Sequence, residues 1–198
     1  MTENFPKSEL VDRLSLIESM IAEGRGSTQR WAWNFLLWGV AYYIAIAWAT
    51  WGNSWLAWPV TMIAAAIVTG IISSRIKRGH PGTTIGRALG AVWSVMGTVL
   101  FVTLMALSFS GRAEIHAFVA FICAMLAMAN GISSIILRWK MQFACAVVWL
   151  AAGVGACFAS GLPLVILSLA AIFFCQIVFG IYGMALESRR RSRSAAHA

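Results

Sequence analysis

Long apolar blocks separated by short polar interruptions dominate the sequence after residue 30. Each block is close to the roughly 20 residues that a helix needs to cross the hydrocarbon of a bilayer. Membrane barrels instead alternate apolar and polar residues over segments of about 10 residues. None of the blocks contains Asp, Glu, Lys or Arg. The pattern therefore predicts an all-α polytopic membrane bundle of six transmembrane helices, at residues 31–51, 54–74, 88–109, 115–137, 141–159 and 163–186.

Residues 1–30 form an N-terminal arm with a different pattern. Over residues 8–24, apolar side chains recur at spacings of 4, 3 and 4, which places them on one face of an amphipathic helix. Gly24 is the expected end of this helix. The apolar face either lies on the membrane surface or on the bundle's own loops, or it docks onto a cytoplasmic protein or a second copy of the chain. The candidate docking residues are Leu10, Leu14, Ile17 and Ile21.

The distribution of positive charge orients the predicted spans. The chain has 15 Lys and Arg residues against 7 Asp and Glu, which gives a net charge of +8. With six spans, Arg112 is the one basic residue on the outer side. Because loops rich in Lys and Arg stay in the cytoplasm, we expect both termini, including the basic tail 187–198, to be cytoplasmic in a bacterial inner membrane. The same charge favours contact with anionic lipid head groups and leaves nucleic-acid binding as the weaker explanation.

The predicted spans lack the side chains that carry out chemistry inside membranes. Acidic and basic residues at depth mark proton relays and ion paths, and the spans have none. Intramembrane hydrolysis requires a nucleophile beside a base or paired aspartates, and neither pattern is present. The four cysteines share no Cys-x-x-Cys spacing, so we expect them to be small apolar residues of the spans. The sequence thus predicts no enzymatic activity, no cofactor and no metal.

The dipeptide Gly-Ile occurs three times, each time late in an even-numbered span. The six spans pair into three hairpins, so the recurrence is consistent with an internal repeat. Helices in lipid associate where small side chains let their backbones approach closely. We therefore interpret the glycines and the small residues four positions before them as helix-packing positions: Gly70, Gly131, Gly180, Ala66 and Ala127.

A few uncharged polar residues lie within the predicted spans. A lone amide in a span usually makes a hydrogen bond to a neighbouring helix, which is one interpretation of these residues. The other interpretation is a small polar vestibule that opens to the cytoplasm. Its candidate lining is Gln176, Asn130, Thr69, Ser73 and Ser134.

Six short spans in three hairpins, with Gly-Ile late in the even spans, resemble the HdeD-like family of small bacterial membrane proteins. The resemblance covers residues 31–186 and implies a six-span inner-membrane protein, without a catalytic or binding residue. Residues 17–43, "IESMIAEGRGSTQRWAWNFLLWGVAYY", are also similar to the start of uncharacterised bacterial inner-membrane proteins. The sequence predicts a non-enzymatic membrane protein that acts by interaction with a cytoplasmic or membrane partner. The alternative is a passive channel or facilitator for a small neutral solute.

Overall fold

The computed structural model describes residues 7–52, 54, 56–77, 84–111 and 114–196. These residues form an all-α structure, which confirms the predicted fold class. Arg112, the expected outer basic residue, lies outside the described residues, and so does the side chain of Leu10. The seven helices are α1 (Lys7–Arg30), α2 (Ala32–Trp51), α3 (Ala57–Lys77), α4 (Thr84–Ser110), α5 (Ile115–Leu137), α6 (Lys140–Ala156) and α7 (residues 162–196).

Five of these helices are long and apolar enough to cross a membrane, so the chain is a multi-pass membrane protein by helix composition. They correspond to predicted spans one to four and six. The helix predicted for residues 141–159 is α6, which is shorter, with 17 residues. It ends at Ala156 because the amides of Cys157, Phe158 and Ala159 turn back onto carbonyls of the preceding turn. Gly161 then takes a φ of +60°, a backbone conformation that favours glycine, and starts α7.

The helices of the bundle pack mainly against their sequence neighbours. α5 and α6 run antiparallel: Gly131 faces Ala146 near one end of the pair, and Gly153 faces Cys123 near the other. α2 packs against both α3 and α7, and α6 packs against α7, so the last helix closes the arrangement beside the first span.

α7 contains a π-helical segment, Phe173–Val178, between its α-helical parts Leu162–Ile172 and Phe179–Ala196. Single π turns inside α-helices are rare and occur often at functional sites. One turn before this segment, the Tyr43 hydroxyl of α2 donates a 2.9 Å hydrogen bond to the Leu169 carbonyl oxygen. This hydrogen bond therefore connects α7 to α2 one turn before the backbone hydrogen bonding of α7 changes from α-helical to π-helical.

Aromatic rings fill the interior of the bundle in the half nearer to α1. Phe35 of α2 makes edge contacts with Trp93 of α4 and with Phe179 of α7, at ring-centroid distances of 5.1 and 5.0 Å. Trp139, just before α6, lies 5.4 Å from Phe179. These rings form a continuous chain of contacts from α4 to the start of α6, and the two Phe35 pairs have the edge-to-face geometry that aromatic pairs favour.

α1 does not end at Gly24, as expected from the sequence, but continues to Arg30. A Cβ atom on Gly24 would lie 2.6 Å from Ile85 of α4 and 2.9 Å from Leu137 of α5. Gly24 therefore allows a close approach between helices and does not terminate the helix. The last third of α1 is held against the ends of α4, α5 and α7.

α1 also continues the path of α2 along α7. Gly183 of α7 faces Ala32 at the start of α2, and Arg190, further along α7, lies against Gly26 of α1. α1 and α2 therefore both run antiparallel to α7: the residues of α1, which precede Ala32, pack against residues of α7 that follow Gly183. At 1.5 Å per residue, α7 is about 52 Å long, against a hydrocarbon core of roughly 30 Å. The C-terminal part of α7 therefore reaches past the length of a span, and α1 packs against it at what we call the α1 end.

Candidate functional site

The predicted helix-packing glycines do not share one environment. A Cβ atom on Gly180 would lie 2.9 Å from the backbone nitrogen of Leu36, so α2 and α7 approach closely there. Gly131 faces Ala146 at an ordinary contact distance of 3.9 Å. Gly70 has no atom within 4 Å of a Cβ position, and Ala66 on the same helix is exposed, whereas Ala127 is buried. A packing role for Gly70 and Ala66 stays a prediction, because no helix of the described chain covers them.

The residues of the predicted polar vestibule fall into two groups. Thr69 is half-buried, accepts a 3.1 Å hydrogen bond from the Trp38 indole and contacts Asn34 at 3.1 Å, so it joins α3 to α2. Ser73, one turn further along α3, is also half-buried. The second group is buried in α5 and α7 and consists of Asn130, Ser134 and Gln176. The vestibule itself stays a prediction.

Several buried amides have unused hydrogen-bonding capacity. The Asn130 side chain donates to the Leu126 carbonyl at 2.8 Å, but its Oδ1 has no partner among the described residues. The same holds for Oε1 of Gln176, which lies in the π segment of α7. An unpaired buried polar group costs about 1–3 kcal/mol, so these groups oppose stability.

Gln142 is the buried amide with the most unused hydrogen-bonding capacity, and it was not identified from the sequence. Its side chain is 0% exposed, and neither its Nε2 nor its Oε1 has a partner in the part of the chain that the structure describes. The sequence places Gln142 two residues after Lys140, at the edge of a predicted span, where water would be expected to satisfy the amide. Burial arises because α6 packs against both α5 and α7, which no periodicity in the sequence reveals.

A cavity of about 210 Å³ lies in the half of the bundle away from α1. Its exposed lining residues, Thr50, Ile115 and Val165, stand near the last turn of α2 and the first turns of α5 and α7. Its buried lining residues include Tyr42 and Trp149. The cavity therefore opens at the end opposite to α1 and reaches inward by about two helical turns.

Tyr42 is the one residue whose position in the sequence could have pointed to this cavity. Tyr42 is a hydroxyl-bearing side chain in the middle of a predicted span, where a polar tip needs a partner or a space. Its ring packs between Trp38 and Trp58, at ring-centroid distances of 6.2 and 6.3 Å. The other polar contributors, Trp149 and Ser168, come from different helices and become neighbours only in the folded bundle.

The apolar face of α1 is the second candidate site. Residues 11–20 are all exposed, in contrast to the last third of the helix. Leu14 is 60% and Ile17 52% exposed, and the backbone places Leu10 on the same face; Ile21 is half-buried. Among the described residues, no loop of the bundle covers Leu14 or Ile17; the inner loop at 78–83 lies outside the described residues. The described residues contain no group of three His, Cys, Asp or Glu side chains that could hold a metal ion.

No protein-family model, no curated protein and no solved structure matches this chain. The likeness to the HdeD-like family therefore rests on the sequence pattern alone.

Proposed function

We propose that this chain is a non-enzymatic, six-span protein of a bacterial inner membrane that acts by protein–protein interaction through α1, and that the partner is a second copy of the chain. The observation that carries the proposal is the exposure of Leu14 and Ile17, two large apolar side chains on one face of α1. α1 packs against the C-terminal part of α7, so both would lie on the same side of the membrane. Their basic residues favour the cytoplasm.

α6 would be the sixth span. Its 17 residues cover about 25 Å, at the lower limit for a transmembrane helix. Its antiparallel pairing with α5, from Gly131–Ala146 to Gly153–Cys123, supports a crossing from one end of the bundle to the other. Six crossings also bring the end of α7 back to the side of α1.

The stripe would face water and not the bilayer. Leu14 lies in the stretch 11–20 of α1 that is exposed throughout, and the turn at Trp31 separates α1 from the span α2. Helices that bind a membrane surface are usually rich in Lys and Arg on their polar face. Four of the chain's seven acidic residues are instead in α1: Glu9, Asp12, Glu18 and Glu23. An apolar stripe in water is stabilised by covering it with another apolar surface.

Two copies of α1 suit each other as a parallel pair. In one bilayer, two copies related by a twofold axis along the membrane normal would project their α1 helices in the same direction. Leu10, Leu14, Ile17 and Ile21 then occupy the core positions of a heptad repeat. Arg13 and Glu18 occupy the two flanking positions, five residues apart, which face each other between parallel helices. Each pair of α1 helices would form two such Arg–Glu contacts, beside the 2.6 Å ion pair that Arg13 makes with Glu9 of its own helix.

Confinement to the membrane compensates for the short length of the stripe. A heptad pattern of two repeats is too short for a stable coiled coil in solution, where three or four are normally needed. Two chains held in the same bilayer pair as if tethered, at an effective concentration that can reach about the millimolar range. Association would therefore depend on α1 while being supported by the membrane.

The test compares two double variants that add the same charge on opposite faces of α1. Leu14→Glu/Ile17→Glu changes the stripe, and Ser15→Glu/Ser19→Glu changes the exposed opposite face. The measurement is native mass spectrometry of the chain released from lipid nanodiscs. We expect a dimer for the wild type and the serine variant, and a monomer for the stripe variant. A monomeric wild type, or equal effects of both variants, would refute the proposal.

A charge exchange tests the parallel register separately. Arg13→Glu alone and Glu18→Arg alone each place like charges at both flanking contacts and should weaken self-association. Co-expressed with different affinity tags, the two variants should pair with each other, because both contacts are then attractive. If the mixed pair forms no better than either variant alone, the parallel register is wrong.

The facilitator alternative finds no comparable support. The contact chain of Phe35, Trp93, Trp139 and Phe179 lies between the cavity and the α1 end. A solute path along the bundle would have to displace these packed rings.

A further inference from the structure

The cavity at the end opposite to α1 is a narrow slot that runs along the helices. Its lining residues cover stretches of equal length on three helices: residues 42–50 of α2, 115–123 of α5 and 164–172 of α7. At 1.5 Å per residue, each stretch is about 12 Å long. The volume of about 210 Å³ then corresponds to a mean cross-section of roughly 18 Å². The slot is therefore long and narrow, with the width of one extended hydrocarbon chain.

The slot is open at one end and closed at the other. Its lining residues at the ends of the spans are exposed: Thr50, Ile115 and Val165. Those at the opposite end of the slot are buried: Tyr42, Cys123 and Ile172. Glu114 caps α5 directly before Ile115 with an exposed carboxylate, a group that belongs outside the hydrocarbon. The mouth therefore lies at the level of the lipid head groups, and the slot extends from there towards the middle of the membrane.

The chemistry of the lining selects an apolar occupant. Most lining residues are aliphatic or aromatic, and no Asp, Glu, Lys, Arg or His is among those that the structure describes. Ser168 already donates its hydroxyl hydrogen to the Leu164 carbonyl of its own helix, at 2.8 Å. A buried water needs two to four polar partners, which this lining does not offer, and a charged group would lose its hydration without gaining an ion pair. A hydrocarbon chain meets neither difficulty.

We infer that the slot is a binding site for one acyl chain of a membrane phospholipid, from the leaflet at the end opposite to α1. The head group stays outside, at the level of Glu114, and the chain runs down between α2, α5 and α7. Lipid chains and the slot both run across the membrane, so the chain enters without a sharp bend. The walls of an empty void lack partner atoms on one side, and the chain restores those dispersion contacts. This inference is independent of the pairing of α1, because the slot is at the other end of the bundle.

The test is photo-crosslinking of the full chain in phosphatidylethanolamine vesicles that contain a small fraction of phosphatidylcholine with a diazirine in one acyl chain. The diazirine is placed at the depth of the closed end of the slot, and labelled residues are identified by peptide mass spectrometry. We expect labelling of Cys123 and Ile172, which are buried from the surrounding bilayer. Val102 of α4 is the internal reference, because it lies at a similar distance from the end of its helix and is 59% exposed. It should be labelled by the surrounding lipid in every sample.

Variants assign the labelling to the slot. Ala49→Trp should fill the slot near its mouth and remove the labelling of Cys123, with the labelling of Val102 unchanged. Ala170→Trp, at an exposed position of α7, adds the same ring elsewhere and should leave both unchanged. Ser168→Leu is a smaller filling change that serves the same purpose if Ala49→Trp does not fold.

Two results would overturn the inference. The first is labelling of Val102 without labelling of Cys123 or Ile172 in the wild type, which would show that no lipid chain enters the slot. The second comes from a free fatty acid that carries the same diazirine. If only this single-chain probe labels Cys123, the occupant is not a phospholipid. Labelling by the phospholipid that disappears in the filled variant supports it.

Discussion

The guanidinium group of Arg25 caps the C-terminus of α5 through the carbonyl oxygen of Leu137. Its Nε donates to that oxygen at 2.7 Å, and its Nη2 donates to the carbonyl oxygen of Arg138, also at 2.7 Å. The last carbonyls of a helix have no partner within the helix, and a positive charge near them is favourable. Arg25 thereby fastens α1 to the bundle from a different helix, next to the close contact at Gly24.

We expect Arg25→Met to loosen α1 from the bundle. Hydrogen bonds to charged groups contribute about 1.5–3 kcal/mol, so hydrogen exchange in residues 21–30 should accelerate by roughly 10- to 100-fold. Arg25→Lys should have a smaller effect, since an ammonium group keeps the charge but cannot reproduce the two hydrogen bonds of the planar guanidinium group. Arg189→Met, which removes an exposed arginine of α7, is the control and should leave exchange in α1 unchanged. Equal exchange in Arg25→Met and wild type would show that the cap does not hold α1.

Gly180→Ala and Gly70→Ala should have opposite effects on stability. The new methyl group at Gly180 would clash with the backbone of α2, which can shift only at a large energetic cost. We therefore expect the free energy of unfolding to fall by about 1–3 kcal/mol. At Gly70 the space is open, and replacing a glycine inside a helix should stabilise the fold by about 0.5–1 kcal/mol. Unfolding in mixed detergent micelles measures both. A destabilising Gly70→Ala would indicate that this face is covered, for example by another copy.

Gln142→Met should stabilise the bundle. Methionine has nearly the same shape but no polar group to leave unpaired, so we expect a gain of about 1–3 kcal/mol in unfolding free energy. Gln142→Ala is the matched control, because it removes the amide but leaves a cavity and should destabilise. A loss of stability in Gln142→Met would mean that the amide has a partner outside the described residues.

Glu114 should make the start of α5 sensitive to acid. Its carboxylate accepts hydrogen bonds from the amides of Ala117 at 2.7 Å and His116 at 3.1 Å, and these bonds lower the pKa of Glu114. A lowered pKa in the folded state means that the stabilisation is complete above the ordinary carboxyl pKa of 4.5 and is lost as pH falls through the folded value. The difference in melting temperature between wild type and Glu114→Gln should therefore be constant near neutral pH and shrink below about pH 4.5. A constant difference down to pH 3 would contradict the capping role.

The spans could be predicted from the sequence because the bilayer fixes both their length and their composition. The stripe of α1 was also visible, since its spacing depends on one helix only. The role of Gly24 was not, because a glycine that ends a helix and one that lets Ile85 approach have the same local sequence. Three further features could not be predicted: the burial of Gln142, the π segment around Gln176 and the cavity beside Trp149. They depend on contacts between different helices, and the periodicity of a single sequence does not report such contacts.

The docking of α1 has a consequence for the order of biogenesis. Arg25 and its acceptor on Leu137 are separated by 112 residues, and the contact with Arg190 lies further on. At about 5–20 residues per second, the ribosome needs roughly 6–20 s between making Arg25 and making that acceptor. α1 is made before α5 and α7 and can dock only after both have been made, so its contacts with Leu137 and Arg190 report that these two later helices are in position.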